Sequence, residues 1–192
     1  MHSRKDFPGI GFFSKNFITD PTTKGVVTRL NTTGIVLDSN GYGANTATST
    51  AFVAECAGFS DQRVTLVCKY VSPTTAGNES LGAMARMRSL DATADTDYYM
   101  ARCVSGQARI TKFIAGVSST LTFAAFALPQ NTLVTITFTV IGSALTAVFD
   151  AGGSPATVTI SAVDTAIPAG GFMGFRTTSS TGYCRSIIAE QL

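Results

Sequence analysis

The clearest pattern of apolar and polar positions runs from Thr132 to Gly153. Val134, Ile136, Phe138 and Val140 alternate with Thr135, Thr137 and Thr139, which is the period of two of a strand with one buried face. After Ile141-Gly142-Ser143 a second run sets Leu145, Ala147 and Phe149 against Thr146, Val148 and Asp150, until Gly152 and Gly153 end it. The two runs predict a β-hairpin. A lone hairpin is marginal in water, so its apolar row must be covered by a second sheet supplied by the rest of the chain.

The same pattern recurs on both sides. Short strands are predicted at Val26 to Leu30, Ile35 to Leu37 and Thr50 to Glu55, with a loop at Ser39 to Asn45 marked by Asn40-Gly41. Gln62 to Val71 alternates Val64, Leu66, Cys68 and Tyr70 against Thr65, Val67 and Lys69. Beyond the loop Ser72 to Ser80, three runs at Leu81 to Leu90, Tyr98 to Val104 and Gln107 to Ala115 predict an antiparallel meander. An Asp-rich turn at Asp91 to Asp97 and a tight Ser105-Gly106 turn separate them. Leu121 to Phe126 reads as a further strand or an irregular edge, and strands around Val158-Ile160, Phe172 to Arg176 and Tyr183 to Glu190 close the chain. Helical periodicity and fixed-length repeats are both missing, so the chain predicts an all-β, two-sheet antiparallel sandwich.

Composition narrows the class. A chain of 192 residues with 45% hydrophobic residues suits one β-sandwich domain, expected over 25–192, after an extended N-terminal arm over 1–24. Only 14% of residues are charged and the net charge is +2, too little for the basic stripe of a nucleic-acid binder. No apolar run approaches the roughly 18 residues of a membrane helix. Arg4 and Lys5 are followed by Pro8, Gly9, Gly11 and Lys15, which break up any signal-peptide core, so nothing directs secretion. The four cysteines, Cys56, Cys68, Cys103 and Cys184, form no Cys-x-x-Cys pair and are expected to be free thiols. In the arm, Phe7, Phe12, Phe13 and Phe17 are interleaved with Arg4, Lys5 and Lys15, with Pro8 and Pro21 opposing a helix. Such a segment either ends in the first strand of the sandwich or docks its phenylalanines on a neighbouring subunit or partner.

The order of elements resembles a known family. Asp61-Gln62-Arg63-Val64, Gly82 to Arg88, Tyr99 to Arg102, Ile110-Thr111-Lys112 and the paired strands around Ile136 and Leu145, ending in Phe149-Asp150, are similar to the concanavalin A-like, laminin G-like jelly roll. The segment from Asp164 through Pro168, Gly170 and Gly171 to Gly174-Phe175 resembles that family's approach to its last strand. The resemblance covers about Val26 to Leu192 and implies two facing, curved sheets with neighbouring termini. Members include lectins, glycosidases, adhesion modules and virion surface proteins, so the function must be argued from the site.

Catalytic chemistry finds few residues. The family's glycosidases pair carboxylates on one strand, typically Glu-x-Asp-x-x-Glu, whereas this chain has only Glu55, Glu79 and Glu190, none in that spacing. The sole histidine is His2, which leaves no Ser-His-Asp triad within one subunit. The protein is therefore expected to be non-enzymatic and to carry no cofactor. Alternation groups Arg86 and Arg88 with Met100 and Arg102, and Tyr98 or Tyr99 nearby, into a candidate patch (Arg86, Arg88, Tyr99, Arg102) for a sugar or an acidic group; the plainer reading is the solvated side of a sheet. The chain has no Trp, the usual sugar-stacking side chain. Asp91, Asp95 and Asp97 are a candidate calcium cluster or, more simply, a hairpin turn.

These features, together with the family resemblance, imply a structural protein. The expectation is a tailed-bacteriophage capsid decoration (cement) protein on the virion surface, assembled in the host cytoplasm. Its arm (Arg4, Lys5, Phe7, Phe12, Phe13, Phe17) would hold the major capsid protein or sister subunits, as a homotrimer. The alternative is a carbohydrate-binding module or host-adhesion component of a tail or fibre, with a glycan as partner.

Overall fold

The structure is a computed structural model that describes residues 12–16, 27–29, 35–38, 41–44, 50–54, 60–70, 81–88, 97–177 and 182–192, with backbone alone for the stretches before residue 60. Among the described residues there are fifteen strands and no helix. The short early strands are β1 (Phe12–Asn16), β2 (Val27–Arg29), β3 (Ile35–Asp38), β4 (Gly41–Ala44) and β5 (Thr50–Ala54). Longer ones follow: β6 (Gln62–Tyr70), β7 (Leu81–Met87), β8 (Tyr98–Val104), β9 (Gln107–Ile114) and β10 (Val117–Ala125). The last five are β11 (Leu133–Ile141), β12 (Ala144–Asp150), β13 (Val158–Val163), β14 (Phe172–Thr177) and β15 (Gly182–Gln191). They form two antiparallel sheets. Sheet A runs β13-β12-β11-β6-β15-β4-β3, with β1 also pairing β15, and sheet B runs β10-β9-β8-β7-β14-β5-β2.

The predicted hairpin is β11 and β12, with Ile136 opposite Phe149 and Phe138 opposite Ala147. On its other side β11 pairs β6, setting Phe138 beside Val64 and Ile136 beside Leu66. Val134, Ile136, Phe138 and Val140 are fully buried against the inward rows of sheet B, which include Leu81, Ala83, Ala101 and Phe175. The intervening threonines stay half-buried on the outer face of sheet A. Cys68, Cys103 and Cys184 are buried free thiols, and burial pushes the Cys68 thiol up to about 12, so they act as small apolar side chains. Cys56 lies outside the described residues.

Three expectations change in detail. Gly41 to Ala44, expected within a loop, is strand β4, which pairs antiparallel with β3 from Ile35 opposite Ala44 to Asp38 opposite Gly41. The strand expected from Leu121 begins at Val117, where the polar run Ser118-Ser119-Thr120 pairs with β9 across Ala115 and Gly116. Ala115 (φ 47°) and Gly116 (φ 76°) have the positive angles of a two-residue hairpin turn, as do Ser105 and Gly106. Lastly, β7 is interrupted at Arg86 (φ 54°): three residue steps from Met84 to Met87 oppose two from Phe172 to Gly174. This is a β-bulge. Gln62, fully buried, fixes it by accepting from the Arg86 amide (2.8 Å) and donating to Gly171 O (3.1 Å).

Of the arm, Phe12 to Asn16 runs as β1 beside β15, from Phe12 opposite Glu190 to Asn16 opposite Ser186. Arg4, Lys5, Phe7 and Phe17 lie outside the described residues.

One end of the sandwich is closed by polar contacts. The Arg86 side chain, redirected by the bulge, is 3% exposed and donates to Ile167 O (3.4 Å), Ser60 O (3.0 Å) and Gly142 O (2.6 Å), tying three loops together. Beside it the Tyr99 hydroxyl donates to Asp164 Oδ1 (2.6 Å) and accepts from the Ile167 amide (3.0 Å). Lys112 Nζ meets Asp164 Oδ2 at 2.7 Å. Burial pushes the Asp164 carboxyl up, but hydrogen bonds from Lys112, Tyr99 and the Ala166 amide outweigh it and hold it below the ordinary value.

Two measurements check this architecture. Phe138→Ala should lower unfolding stability by about 3–5 kcal/mol in denaturant melts, while Thr137→Ala on the opposite face should stay within about 0.5 kcal/mol. Equal effects would mean that the register is wrong. Because the folded Asp164 pKa is depressed, its stabilisation is full above about pH 3.9 and is lost as pH falls through the lower folded value. Asp164→Asn should therefore flatten the acid side of the stability curve; parallel curves for variant and parent would exclude this linkage.

Candidate functional site

Sheet B carries apolar residues on both faces. Its inward face belongs to the main core, whereas a second buried cluster, Met84, Met87, Tyr98, Met100 and Phe113 with Phe172 against it, occupies the outer face. Alternation alone puts it there, since Met84 pairs Met100 and Tyr98 pairs Phe113, all out of phase with the inward Ala83, Tyr99 and Ala101. Tyr98 and Phe113 stack with ring centres 4.5 Å apart and planes 14° apart.

Arginines lie over this floor in a single cross-strand row. Arg176 of β14 is opposite Gly82 of β7, Gly82 is opposite Arg102 of β8, and Arg102 is opposite Arg109 of β9. The row ends on β10 at Phe123, opposite Arg109. The phase of that last pairing depends on the bulge between Thr120 and Thr122, which inserts Leu121 and so brings Phe123, rather than Thr122, opposite Arg109. Phe123 is 60% exposed, an unusual state for so large an apolar side chain, while the three arginines are half-buried. Five strands at about 4.8 Å spacing give the row a length of about 19 Å.

Rings hold two of the three guanidinium groups in place, those of Arg102 and Arg176. The Arg102 guanidinium carbon is 5.3 Å from the centre of the Phe113 ring and that of Arg176 is 5.4 Å from the same ring. Arg176 also donates to the Tyr98 hydroxyl. Arg102 Nε donates to Thr111 Oγ1 (3.1 Å) and Arg109 Nε to Gln107 Oε1 (2.9 Å). Burial, and then the neighbouring charges of Arg109 and Arg176, press the Arg102 pKa down. Burial raises Tyr98, and the Arg176 charge opposes that rise. Gly82 lets β7 and β8 close up within the row, since a Cβ there would lie 2.2 Å from Ala101 O and 2.7 Å from Arg102 Cβ. Among the described residues of β7 to β10 and β14, this face carries no carboxylate.

The four residues of the sequence-derived patch do not share one face. Arg102 is in the row. Tyr99 points inward and Arg86 closes the sandwich end, so both are structural. Arg88 is exposed just beyond β7, its amide donating to Asp97 O (3.0 Å) and Nη1 to Ala169 O (3.4 Å). Asp97 Oδ1 accepts from the Ala115 amide (2.9 Å), while Asp91 and Asp95 lie outside the described residues. Among the described residues no three His, Cys, Asp or Glu side chains gather as a metal site. Sequence reasoning passed over Arg109, Arg176, Phe113 and Phe123. Arg109 had a signal, because counting outward from the Ser105-Gly106 turn pairs residue 104 with 107 and so Arg102 with Arg109. Arg176 had none short of the long-range β7–β14 register.

No protein-family model matches the chain, and no curated protein matches it in sequence. Solved structures do match in three dimensions. The carbohydrate-binding module CBM66 from Bacillus subtilis is 17% identical with a TM-score of 0.62, covering 86% of this chain and 91% of its own. Winged bean acidic lectin, complexed with methyl-α-D-galactose, is 8% identical with a TM-score of 0.67, covering 94% and 99%. The exoplasmic/lumenal domain of VIP36, in a Ca2+/Man-bound form, is 10% identical with a TM-score of 0.68, covering 94% and 89%. At these identities the likeness establishes the fold: a concanavalin A-like jelly roll of the kind built by lectins and carbohydrate-binding modules.

Proposed function

We propose that the protein is a non-catalytic carbohydrate-binding module that holds a glycan along the outer face of sheet B. The observation that carries this reading is the row Arg176, Gly82, Arg102, Arg109, Phe123, in which an exposed aromatic ring adjoins fixed hydrogen-bond donors on one surface. Sugars present apolar C–H faces edged by hydroxyls, and an aromatic ring beside guanidinium forks matches both. Phe123 fills the part usually taken by Trp, which the chain lacks. The structural neighbours, a carbohydrate-binding module and lectins among them, add support through the shared fold.

The capsid-decoration expectation draws on the arm. Of the arm residues assigned to partner binding, Phe12 and Phe13 alone fall in a described strand, and that strand pairs with β15 of the same chain. The outer face of sheet B supports the glycan reading more directly.

The test is a glycan array followed by titration calorimetry with the best ligand. Phe123→Ala should weaken binding about tenfold and leave the melting temperature essentially unchanged, since the side chain is mostly exposed. Saturable binding unaffected by Phe123→Ala would place the site elsewhere, and no binding to any glycan would remove the proposal.

A further inference from the structure

The charge arrangement on this face says more than that a sugar fits. We infer that the glycan it takes is acidic, a polyuronate whose carboxylates are received by the outward forks of Arg102 and Arg109. The inference rests on the carbohydrate-binding reading and specifies its ligand class.

Two observations carry it. Arg102 and Arg109 are direct cross-strand partners, an arrangement of like charges that costs stability in a sheet unless something compensates. Among the described residues their polar partners are Thr111 and Gln107, and neither meets a carboxylate. By contrast, other cations of this chain do have acidic partners: Lys112 meets Asp164 at 2.7 Å and Arg63 meets Glu190 at 3.8 Å. Arg102 and Arg109 therefore place two positive charges side by side with no carboxylate partner among the described residues, although the whole chain carries only +2. The second observation is which nitrogens are used. Arg102 and Arg109 each spend Nε on the protein, and no protein partner takes their Nη atoms among the described residues. A planar carboxylate is the group such a fork receives with two parallel charge-assisted hydrogen bonds. The ring floor adds pre-organisation: with the Arg102 guanidinium resting near Phe113, less side-chain freedom is lost on binding. Phe123, next in the row, would then take the apolar face of the adjoining sugar, so the ligand is a saccharide rather than a free anion.

The experiment compares four probes by affinity electrophoresis and calorimetry on the full chain: polygalacturonate, dextran, dextran sulfate and oligo(dT). Polygalacturonate should bind best, and Arg102→Gln and Arg109→Gln should each weaken it about tenfold, whereas Arg63→Gln on sheet A should not. Melting curves of each variant establish that it is folded, and two separate arginine variants keep the test decisive if one fails to fold. Dextran bound as well as polygalacturonate, with no loss in either arginine variant, would overturn the acidic preference while leaving the carbohydrate reading intact. Dextran sulfate or oligo(dT) bound as tightly as polygalacturonate would overturn it in favour of general polyanion binding. No probe bound here and no glycan bound on the array would overturn both readings.

Discussion

Cross-strand register is the constraint on which the rest of this molecule depends. Side chains alternate faces along a strand, so a one-residue slip between β8 and its neighbours would carry Arg102 into the core and expose Ala101 and Cys103. Two-residue turns at Ser105-Gly106 and Ala115-Gly116, with positive φ at all four residues, pin β8, β9 and β10 to one another. Bulges then shift the phase where needed. The one at Arg86 removes a charge from the outer face and uses it to close the sandwich end; the one at Leu121 brings Phe123 opposite Arg109. The same hydrogen-bond ladder that buries the core thus also assembles the candidate site.

The two sheets spend their outer faces differently. On sheet A, the half-buried threonines of β11 lie beside Arg63, Thr65 and Val67 on one side and Thr146, Val148 and Asp150 on the other, with Arg63 paired to Glu190 at 3.8 Å. On sheet B the outer face is itself packed, with Met84 and Met100 fully buried beneath a row of guanidinium groups. Methionine suits such a floor, because its unbranched chain fills irregular gaps under large planar groups. Binding along this row would draw on positions already fixed by ring contacts and by the close approach of β7 and β8 at Gly82.

Much of the fold could be read from the sequence, and the reason is local. Strand alternation at Val134 to Val140 and at Val64 to Tyr70 states which side is buried, and Ser105-Gly106 states where the chain reverses. The jelly-roll resemblance supplied the two-sheet architecture that these strands in fact build. The site was less legible because it depends on phase over long separations. Alternation alone would set Arg86 on the outer face after Gly82 and Met84, and nothing in the surrounding residues announces the bulge that turns it away. Tyr99 looks like a surface aromatic beside an arginine until its partner on β7 is known to be the inward Ala85. Arg176 reaches the row only through the pairing of β14 with Gly82, which lies 94 residues earlier in the chain.

The central claim is that ligand meets the outer face of sheet B, and the methionines offer the most direct measurement of it. Met84, Met87 and Met100 lie under that face, while Met173 belongs to the core between the sheets. In a methyl-labelled sample titrated with polygalacturonate oligosaccharides, the Met84 and Met100 methyl resonances should shift saturably and together, with Met173 unmoved. Saturable binding that leaves Met84 and Met100 unmoved, or that shifts Met173 alone, would contradict the account.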